Sequence, residues 1–198
     1  MICFANTKDA RAIALLHRQT INQGFLAKLG IPFLQSLYKF LIRKELVLAY
    51  CENNNTLGFV SCALSSKGIM KRFLRSSPVG IFQLLFALFK KPSLITPLWE
   101  TFRAPSLSNA STDEHIPETE LLSICVSPQA QQGGIGGKLV NELEKELKNR
   151  EITRYKVIAG AKLNGANRFY IKNGFQLSKQ ITIHGNDLSN VYIKEIVS

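Results

Sequence analysis

The chain has 198 residues, of which 45% are hydrophobic and 20% charged, the composition of an ordinary globular domain. Its formal net charge of +11 and its isoelectric point near 9.7 favour an anionic partner: a polyanionic cofactor, a nucleic acid or an anionic membrane surface. The first residues lack the basic start and apolar core of a signal peptide, and no apolar stretch has the length of a transmembrane helix. We therefore predict one cytoplasmic domain over residues 1–198.

Four cysteines lie far apart, in apolar stretches that read as strands: Cys3, Cys51, Cys62 and Cys125. None forms a Cys-x-x-Cys pair, and the ligands of zinc sites usually cluster more tightly than this. The spacing therefore predicts reduced, buried thiols and no metal site.

The chain begins with a pattern typical of a strand followed by a helix. Residues 1–6 read as a short strand, and Thr7 is placed to cap a helix that runs to about Thr20. The apolar spacing predicts that the inner face of this helix carries Ile13, Leu16 and Leu15.

A second helix and a hairpin follow. The helix is predicted over residues 33–43, because its apolar side chains follow the i, i+3, i+4, i+7 spacing at Leu34, Leu37, Tyr38 and Leu41. Residues 45–52 and 57–65 then read as two antiparallel strands joined by a turn rich in asparagine.

Residues 67–105, here named the basic insert, interrupt this pattern with seven basic residues against one acidic residue. Between the basic clusters, one face of a predicted helix carries only apolar side chains, those of Phe82, Leu85, Phe86 and Phe89. Three interpretations stay open: a cover over the sheet or a dimer surface, a wall of a pocket for a large or apolar substrate, and a contact with an anionic membrane. The polar residues 106–118 are predicted to form a loop.

The second half alternates strand and helix. Residues 119–126 and 154–161 read as strands, and residues 134–150 and 164–174 read as helices. The apolar spacing of the first of these helices predicts that Leu139, Leu143 and Leu147 face inward. The tail from Phe175 reads as two further strands. A hairpin followed by this alternation predicts an α/β domain with a central mixed sheet flanked by helices.

A glycine-dense loop between a strand and a helix is the most informative local pattern. The strand ends at Val126, Pro128 stops it, and four glycines lie between residues 131 and 138. A helix start offers unpaired N–H groups and the positive end of the helix dipole, and glycine lets a phosphate approach the backbone closely. Because Leu139 follows Lys138, the loop is not a Walker A motif, and its spacing does not match the dinucleotide fingerprint. The loop therefore predicts a binding site for a pyrophosphate.

Two blocks of the sequence resemble the GNAT superfamily of acyl-CoA-dependent N-acyltransferases. The run Gln131-x-x-Gly134-x-Gly136 resembles the acetyl-CoA signature of that family, and residues 166–175 resemble its block ending in Tyr-x-x-x-Gly-Phe. Together the matches cover roughly residues 119–176, whereas the first half matches only in its order of elements. At one position the chain departs from the family pattern, since Leu163 stands where many members carry an Asn near the cofactor. Either Asn164, one place later, makes that contact, or the contact is missing.

The resemblance implies a splayed sheet of about seven strands and acetyl-CoA as the acyl donor. In that family the amides of the loop hold the pyrophosphate, and the strand before it offers backbone groups to the pantetheine arm. Carried over residue by residue, the implied cofactor-binding set is Ile124, Cys125, Val126, Gln131, Gln132, Gly133, Gly134, Ile135, Gly136, Gly137, Lys138, Asn164, Asn167 and Tyr170.

The same resemblance implies a general acid. Tyr170 stands where the family places a Tyr whose phenol protonates the departing CoA thiolate. The general base, which must take a proton from the acceptor ammonium, is left open between Glu118 and Glu120 at the start of the cofactor-lining strand. His17 and His184 are alternatives for the base.

The acceptor side is implied less specifically. His17 lies in the first helix, which borders the acceptor in GNAT folds, and we predict that His17 and Phe25 contact the substrate. Cys125 is not expected to act as a nucleophile, because burial raises the pKa of a thiol and the family transfers the acyl group directly.

Taken together, the sequence predicts an N-acetyltransferase that moves an acetyl group from acetyl-CoA to a primary amine of a small molecule or peptide, an amino sugar among them. A catalytically silent acyl-CoA-binding regulatory module and a peripheral membrane-associated acyltransferase are the alternatives. A homodimer is left open. No nucleic-acid contact is expected, because no recognisable module accompanies the charge.

Overall fold

The computed structural model describes residues 1–22, 24–53, 55–94, 116–184 and 187–196. Within these residues one seven-stranded sheet has the order β1-β2-β3-β4-β5-β7-β6. Every neighbouring pair is antiparallel except β4 and β5, which are parallel. The strands are Ile2–Phe4 (β1), Leu46–Glu52 (β2), Asn55–Ala63 (β3), Glu120–Val126 (β4), Arg154–Gly160 (β5), Gln176–His184 (β6) and Asp187–Glu195 (β7). The predicted mixed sheet of about seven strands is confirmed.

Helices cover both faces of this sheet. They are Ala10–Thr20 (α1), Phe25–Lys28 (α2), Ile31–Lys44 (α3), Ile69–Ser76 (α4), Pro78–Lys90 (α5), Ile135–Lys148 (α6) and Asn164–Lys172 (α7). Because both faces are covered, β2 and β3 are long runs of buried residues with no clear apolar and polar alternation. One core lies between the sheet and the α1/α3 layer, and a second lies between the sheet and the α6/α7 layer.

The predicted inner faces are mostly correct. All four apolar residues of the α3 stripe are buried, and so are those of the α6 stripe at Leu139, Leu143 and Leu147. Leu15 in α1 is an error, because one residue turns the helix by 100° and leaves its side chain half exposed between buried neighbours. The predicted cap at Thr7 is also wrong, since Asp9 precedes the first turn of α1 and Asp9 Oδ2 accepts a hydrogen bond from Asn6 N. Cys3 is exposed, contrary to the expectation of four buried thiols.

The sheet opens between β4 and β5. Their parallel register contains only two pairs, Glu120 with Lys156 and Leu121 with Val157, after which the strands separate. On its other side β4 stays paired with β3 as far as Val126. The β3–β4 register shifts between Ser61 and Cys62, a bulge of the kind that bends a strand near functional sites. The second half of β4 therefore has one edge that no strand of the described residues covers.

Two helices form the described part of the basic insert, and residues 95–105 of the insert and 106–115 of the polar loop lie outside the described residues. Phe73 of α4 packs against Phe33 and Phe40 of α3, and Leu84 of α5 belongs to the same core. The described part of the insert, residues 67–94, therefore packs on the outside of the α1/α3 layer. In the described parts of the chain, no helix combines the length and apolar character needed to cross a bilayer.

Candidate active site

The glycine-dense loop forms the start of α6. After β4 the chain makes a short 3₁₀ turn at Pro128–Ala130, and Gly134 adopts a left-handed conformation with φ +71° immediately before Ile135. Gln132 also has a positive φ of 69°. The backbone N–H groups of residues 132–137 donate to no carbonyl within the described residues, whereas Lys138 N already donates to Gly134 O at 3.1 Å. The loop thus presents a row of free amides at the positive end of a helix.

Two glycines of this loop have different roles. A Cβ added at Gly134 would meet nothing within 4 Å, so the surface there is open to an approaching group. A Cβ added at Gly136 would lie 2.8 Å from Cε2 of Phe169, so this glycine lets α7 pack against the start of α6. Gly134 therefore keeps the loop open, and Gly136 holds the second helix beside it.

The uncovered edge of β4 lies beside this loop. Ile124 and Val126 pack on the α6/α7 core together with Ala130 and Ile135. Cys125 points to the opposite face, where burial raises the pKa of its thiol to about 12. A thiol with that pKa stays protonated near neutral pH, in agreement with the expectation that Cys125 is not a nucleophile.

Tyr170 is almost fully buried beside the same loop and strand. Its ring makes edge contacts with Phe169 and Phe175 and lies tilted against Tyr192. Burial raises the pKa of its phenol, and the nearby Cys125 adds to that effect. Within the described residues the hydroxyl of Tyr170 makes no hydrogen bond. The side chain is therefore a neutral phenol with a free proton, the state that a general acid requires.

Two acidic residues lie at the start of β4 in different surroundings. Glu118 is exposed and accepts a hydrogen bond from Ser65 Oγ at 2.7 Å. Glu120 is largely buried, and its Oε2 lies 3.7 Å from Nζ of Lys156. Burial raises the pKa of Glu120, although the ammonium of Lys156 partly opposes this change. A carboxylate with a raised pKa is a stronger base than an exposed one, which favours Glu120 as the proton acceptor.

The asparagines of α7 differ from each other in their surroundings. Asn164 is exposed at the first position of the helix, next to the exposed Leu163. Asn167 is buried, and its amide nitrogen donates to the carbonyls of residues 160, 161 and 163. Its amide oxygen accepts hydrogen bonds from Asn190 and Tyr192, both at 2.9 Å. Asn167 thus joins β5, α7 and β7, and its role toward a cofactor stays a prediction.

Comparison with known proteins agrees with this geometry. A family model described as an acetyltransferase (GNAT) domain matches residues 107–177, which include the loop, β4 and Tyr170. Residues 107–177 are therefore similar to a GNAT acetyltransferase domain, and the predicted enzyme class, an acyltransferase that uses acetyl-CoA, agrees with this similarity. No curated protein sequence matches the chain.

Solved structures of N-acetyltransferases share the fold over nearly the whole chain. An aminoglycoside 6'-acetyltransferase type Ii has a TM-score of 0.64 at 13% identity, covering 100% of this chain and 98% of its own. A ribosomal-protein-alanine N-acetyltransferase from Brucella melitensis has a TM-score of 0.61 at 16% identity, covering 98% of this chain and 99% of its own. The PaiA N-acetyltransferase from Thermoplasma acidophilum, in complex with coenzyme A, has a TM-score of 0.60 at 13% identity, covering 98% of each chain. At these identities the likeness shows the fold alone.

The fold does not bring every predicted site residue to one place. The loop, the second half of β4 and Tyr170 share the α6/α7 side of the sheet. His17 lies on the other side, where its Nδ1 is 2.6 Å from the hydroxyl of Tyr38 and its Nε2 is buried without a partner in the described part of the chain. Burial lowers the pKa of His17 to about 4. Phe25 is partly buried against the same core.

Sequence reasoning missed three contributors to this region: Lys156, Asn190 and Tyr192. Lys156 is buried on β5, where its Nζ donates to Pro117 O at 2.5 Å besides facing Glu120. A lysine inside an apolar strand pattern was the one available signal, because buried lysines are rare unless they are paired. Asn190 and Tyr192 contact α7 from a strand more than 20 positions away, and no local pattern indicates that pairing.

Proposed function

We propose that this protein transfers an acetyl group from acetyl-CoA to a primary amine, and that residues 1–198 form one catalytic domain. The observation that carries the proposal is the row of free amides at residues 132–137 beside the uncovered edge of β4. Strands from both ends of the chain enter the same sheet, which supports a single catalytic unit. The free thiols of all four cysteines support a reducing, cytoplasmic location.

The chain's own groups fit the phosphates and the pantetheine arm of a CoA thioester. Free amides and the dipole of α6 suit a pyrophosphate, and the open surface at Gly134 leaves room for it. The backbone groups of residues 122–126 that face away from β3 suit the amides of the pantetheine arm. One structure with this fold is a complex with coenzyme A. When bound, acetyl-CoA would supply the activated acyl carbon.

The protein's part in the reaction is to move two protons and to exclude water. Glu120, or the exposed Glu118 through a water molecule, takes a proton from the acceptor ammonium so that the free amine can attack. Tyr170 then donates its phenolic proton to the departing sulfur, since burial raises the pKa of Tyr170 and keeps it protonated. The attacking nitrogen loses its second proton as the amide forms, and that proton restores the phenol of Tyr170. The aromatic side chains around Tyr170 keep this proton transfer away from bulk water.

The acceptor is proposed only as a chemical class. The similar structures include enzymes named for a ribosomal-protein alanine and for an aminoglycoside, so the fold accommodates both protein and small-molecule acceptors. The net charge of +11 favours an acceptor that carries negative charge, such as a nucleotide-linked amino sugar.

Titration calorimetry with acetyl-CoA tests the donor site. We expect the wild-type protein to bind and the Gly134→Val variant to lose binding, because valine blocks the open surface and resists a positive φ. Gly68→Val is a matched control, because Gly68 also has a positive φ of 62° with nothing within 4 Å of an added Cβ but lies at the start of α4. Absence of binding in the wild-type protein, or equal loss in both variants, would contradict the proposed site.

Steady-state kinetics with an amine acceptor test the role of Tyr170. In the Tyr170→Phe variant we expect kcat to fall by roughly 100-fold or more, with acetyl-CoA affinity and stability nearly unchanged. The hydroxyl makes no hydrogen bond within the described residues, so its removal leaves no partner unsatisfied. Full turnover in this variant would refute the acid assignment. Tight acetyl-CoA binding by a wild-type protein that acetylates no amine would instead identify a silent regulatory module.

A further inference from the structure

The outer surface of α5 is apolar. Its inner side packs into the core through Gly80 and Leu84. The opposite side carries six exposed side chains, here named the apolar face: Val79, Ile81, Phe82, Leu85, Phe86 and Phe89. Phe82 is 70% exposed and Phe89 is 86% exposed. A contiguous apolar patch of this kind on a folded domain indicates an interaction surface.

The length of α5 restricts how it could meet a membrane. The helix has 13 residues and is therefore about 20 Å long, too short for a hydrocarbon core of about 30 Å. Its inner side already packs on its own domain, so only the outer side is available. A helix with these properties can lie in the plane of a bilayer surface but cannot span the bilayer.

A groove next to the apolar face collects positive charge. It has a volume of about 380 Å³ and lies between α3 and the junction of α4 with α5. Its polar lining, here named the basic groove, consists of Lys39, Arg43 and Lys44 of α3 with Ser36, Ser76 and Ser77. Val79 lines the groove and also belongs to the apolar face, so the two surfaces are continuous.

No carboxylate in the described residues neutralises the basic groove. Its three cations make no ion pair there, and Glu45, the neighbour of Lys44, accepts hydrogen bonds from Arg72 at 2.6 Å and from Leu64 N at 2.9 Å. Residues 65–94 contain no acidic residue at all. Cations thus surround an apolar helix and a groove large enough for a phosphate group.

The distribution of charge argues against a second copy of the chain as the partner. Exposed cations flank both ends of α5, with Lys71 and Arg75 before it and Lys90 and Lys91 at its C-terminal end. If two copies paired through the apolar face, either orientation of the helices would bring cations against cations. An anionic lipid surface supplies apolar chains and negative headgroups together, which complements both parts of this surface.

We propose that the apolar face and the basic groove form a docking surface for a membrane that contains anionic phospholipids. The apolar face enters the boundary between headgroups and acyl chains, and the basic groove binds a lipid phosphate. This inference is independent of acetyl transfer, because α5 and the groove share no residue with the proposed active site.

Vesicle co-sedimentation tests the apolar face. We expect the wild-type protein to bind vesicles of phosphatidylglycerol and phosphatidylcholine, and to bind pure phosphatidylcholine vesicles at least tenfold more weakly. The double variant Phe82→Ser/Phe86→Ser should lose at least tenfold in vesicle affinity. The control Leu177→Ser/Leu188→Ser removes two exposed leucines from the β6–β7 hairpin and should bind as the wild type does. Circular dichroism confirms that each variant is folded.

A second pair of variants tests the basic groove. The triple variant Lys39→Gln/Arg43→Gln/Lys44→Gln should lose roughly 100-fold in vesicle affinity, since each cation near an anionic surface contributes about fivefold to binding. The control replaces three exposed lysines elsewhere with glutamine and has the same net charge: Lys8→Gln/Lys148→Gln/Lys172→Gln. The loss of vesicle affinity in this control should be at least tenfold smaller than the loss in the groove variant.

Several results would overturn the proposal. The wild-type protein could bind no vesicles, or could bind neutral and anionic vesicles equally well. A variant and its control could also lose the same amount of vesicle affinity. Inorganic phosphate binding to the groove without vesicle binding would identify a site for a free anion instead. A wild-type dimer that Phe82→Ser/Phe86→Ser converts to monomers, measured by analytical ultracentrifugation, would identify the apolar face as a subunit interface.

Discussion

The burial of His17 predicts how the free energy of unfolding depends on pH. Its side chain is 2% exposed and its pKa is lowered to about 4 by burial, whereas the ordinary value is 6.5. Between these two values the unfolded chain binds a proton and the folded protein does not, so the free energy of unfolding falls as the pH is lowered. Each pH unit in this window costs about 1.4 kcal/mol. From pH 7 to pH 5 the loss through His17 is therefore about 2 kcal/mol.

The replacement His17→Gln removes this titration and keeps a polar group for the hydroxyl of Tyr38. Urea unfolding followed by circular dichroism at pH 7, 6 and 5 gives the free energy of unfolding for both proteins. We expect the variant to lose about 2 kcal/mol less than the wild type over this range. Other titrating groups, including Glu120, are common to both proteins and cancel in the comparison.

Parallel pH curves for the two proteins would refute this reasoning. The same variant also tests catalysis, because a histidine with a pKa of about 4 is a poor general base near neutral pH. We therefore expect His17→Gln to keep its turnover. A fall of 100-fold in kcat at pH 7.5, with the fold intact, would restore His17 as the base.

Two further predictions concern packing and charge near the site. Gly136→Ala places a Cβ 2.8 Å from Phe169, and overpacking of this kind costs about 1–3 kcal/mol, so the melting temperature should fall by several degrees. Gly165→Ala, where an added Cβ meets nothing within 4 Å, should not lower it. Lys156→Met leaves Glu120 buried without its cation and should cost about 3–5 kcal/mol at pH 7.5 by urea unfolding. That deficit should shrink as the pH is lowered, because burial raises the pKa of Glu120 and its protonation removes the unpaired charge; a deficit that does not change with pH would contradict the pairing.

The sequence predicted those parts of the fold whose requirements are local. The stripe of Leu139, Leu143 and Leu147 needs only the helical period, and the glycine-dense loop needs only glycines between a strand and a helix start. The order of strands and helices follows from turns and periodicity in the same way. Each of these features is encoded within about 15 neighbouring residues, a window that a single sequence makes visible.

Features that depend on distant contacts could not be predicted in this way. Gly136 was interpreted as a phosphate-loop glycine, yet Phe169 of another helix occupies the space where its side chain would be. His17 and Tyr38 are 21 positions apart, and only the packing of α1 on α3 joins them. In the sequence, neither Gly136 nor His17 stands out from an ordinary amphipathic helix, because each contact forms only when two distant helices pack together.

The position of β4 explains why the two layers of the molecule differ in how much the sequence predicts of them. Ile124 and Val126 pack on the α6/α7 side, whereas Cys125 between them packs on the α1/α3 side, so one strand joins the two layers. In the proposed function the donor side is constrained by one chemical group, a pyrophosphate, and its backbone geometry leaves a motif. We propose that the α1/α3 side must match the amine acceptor, whose chemistry leaves no comparable motif. Substitutions that change acceptor preference should therefore lie in α1–α5 and leave acetyl-CoA affinity intact.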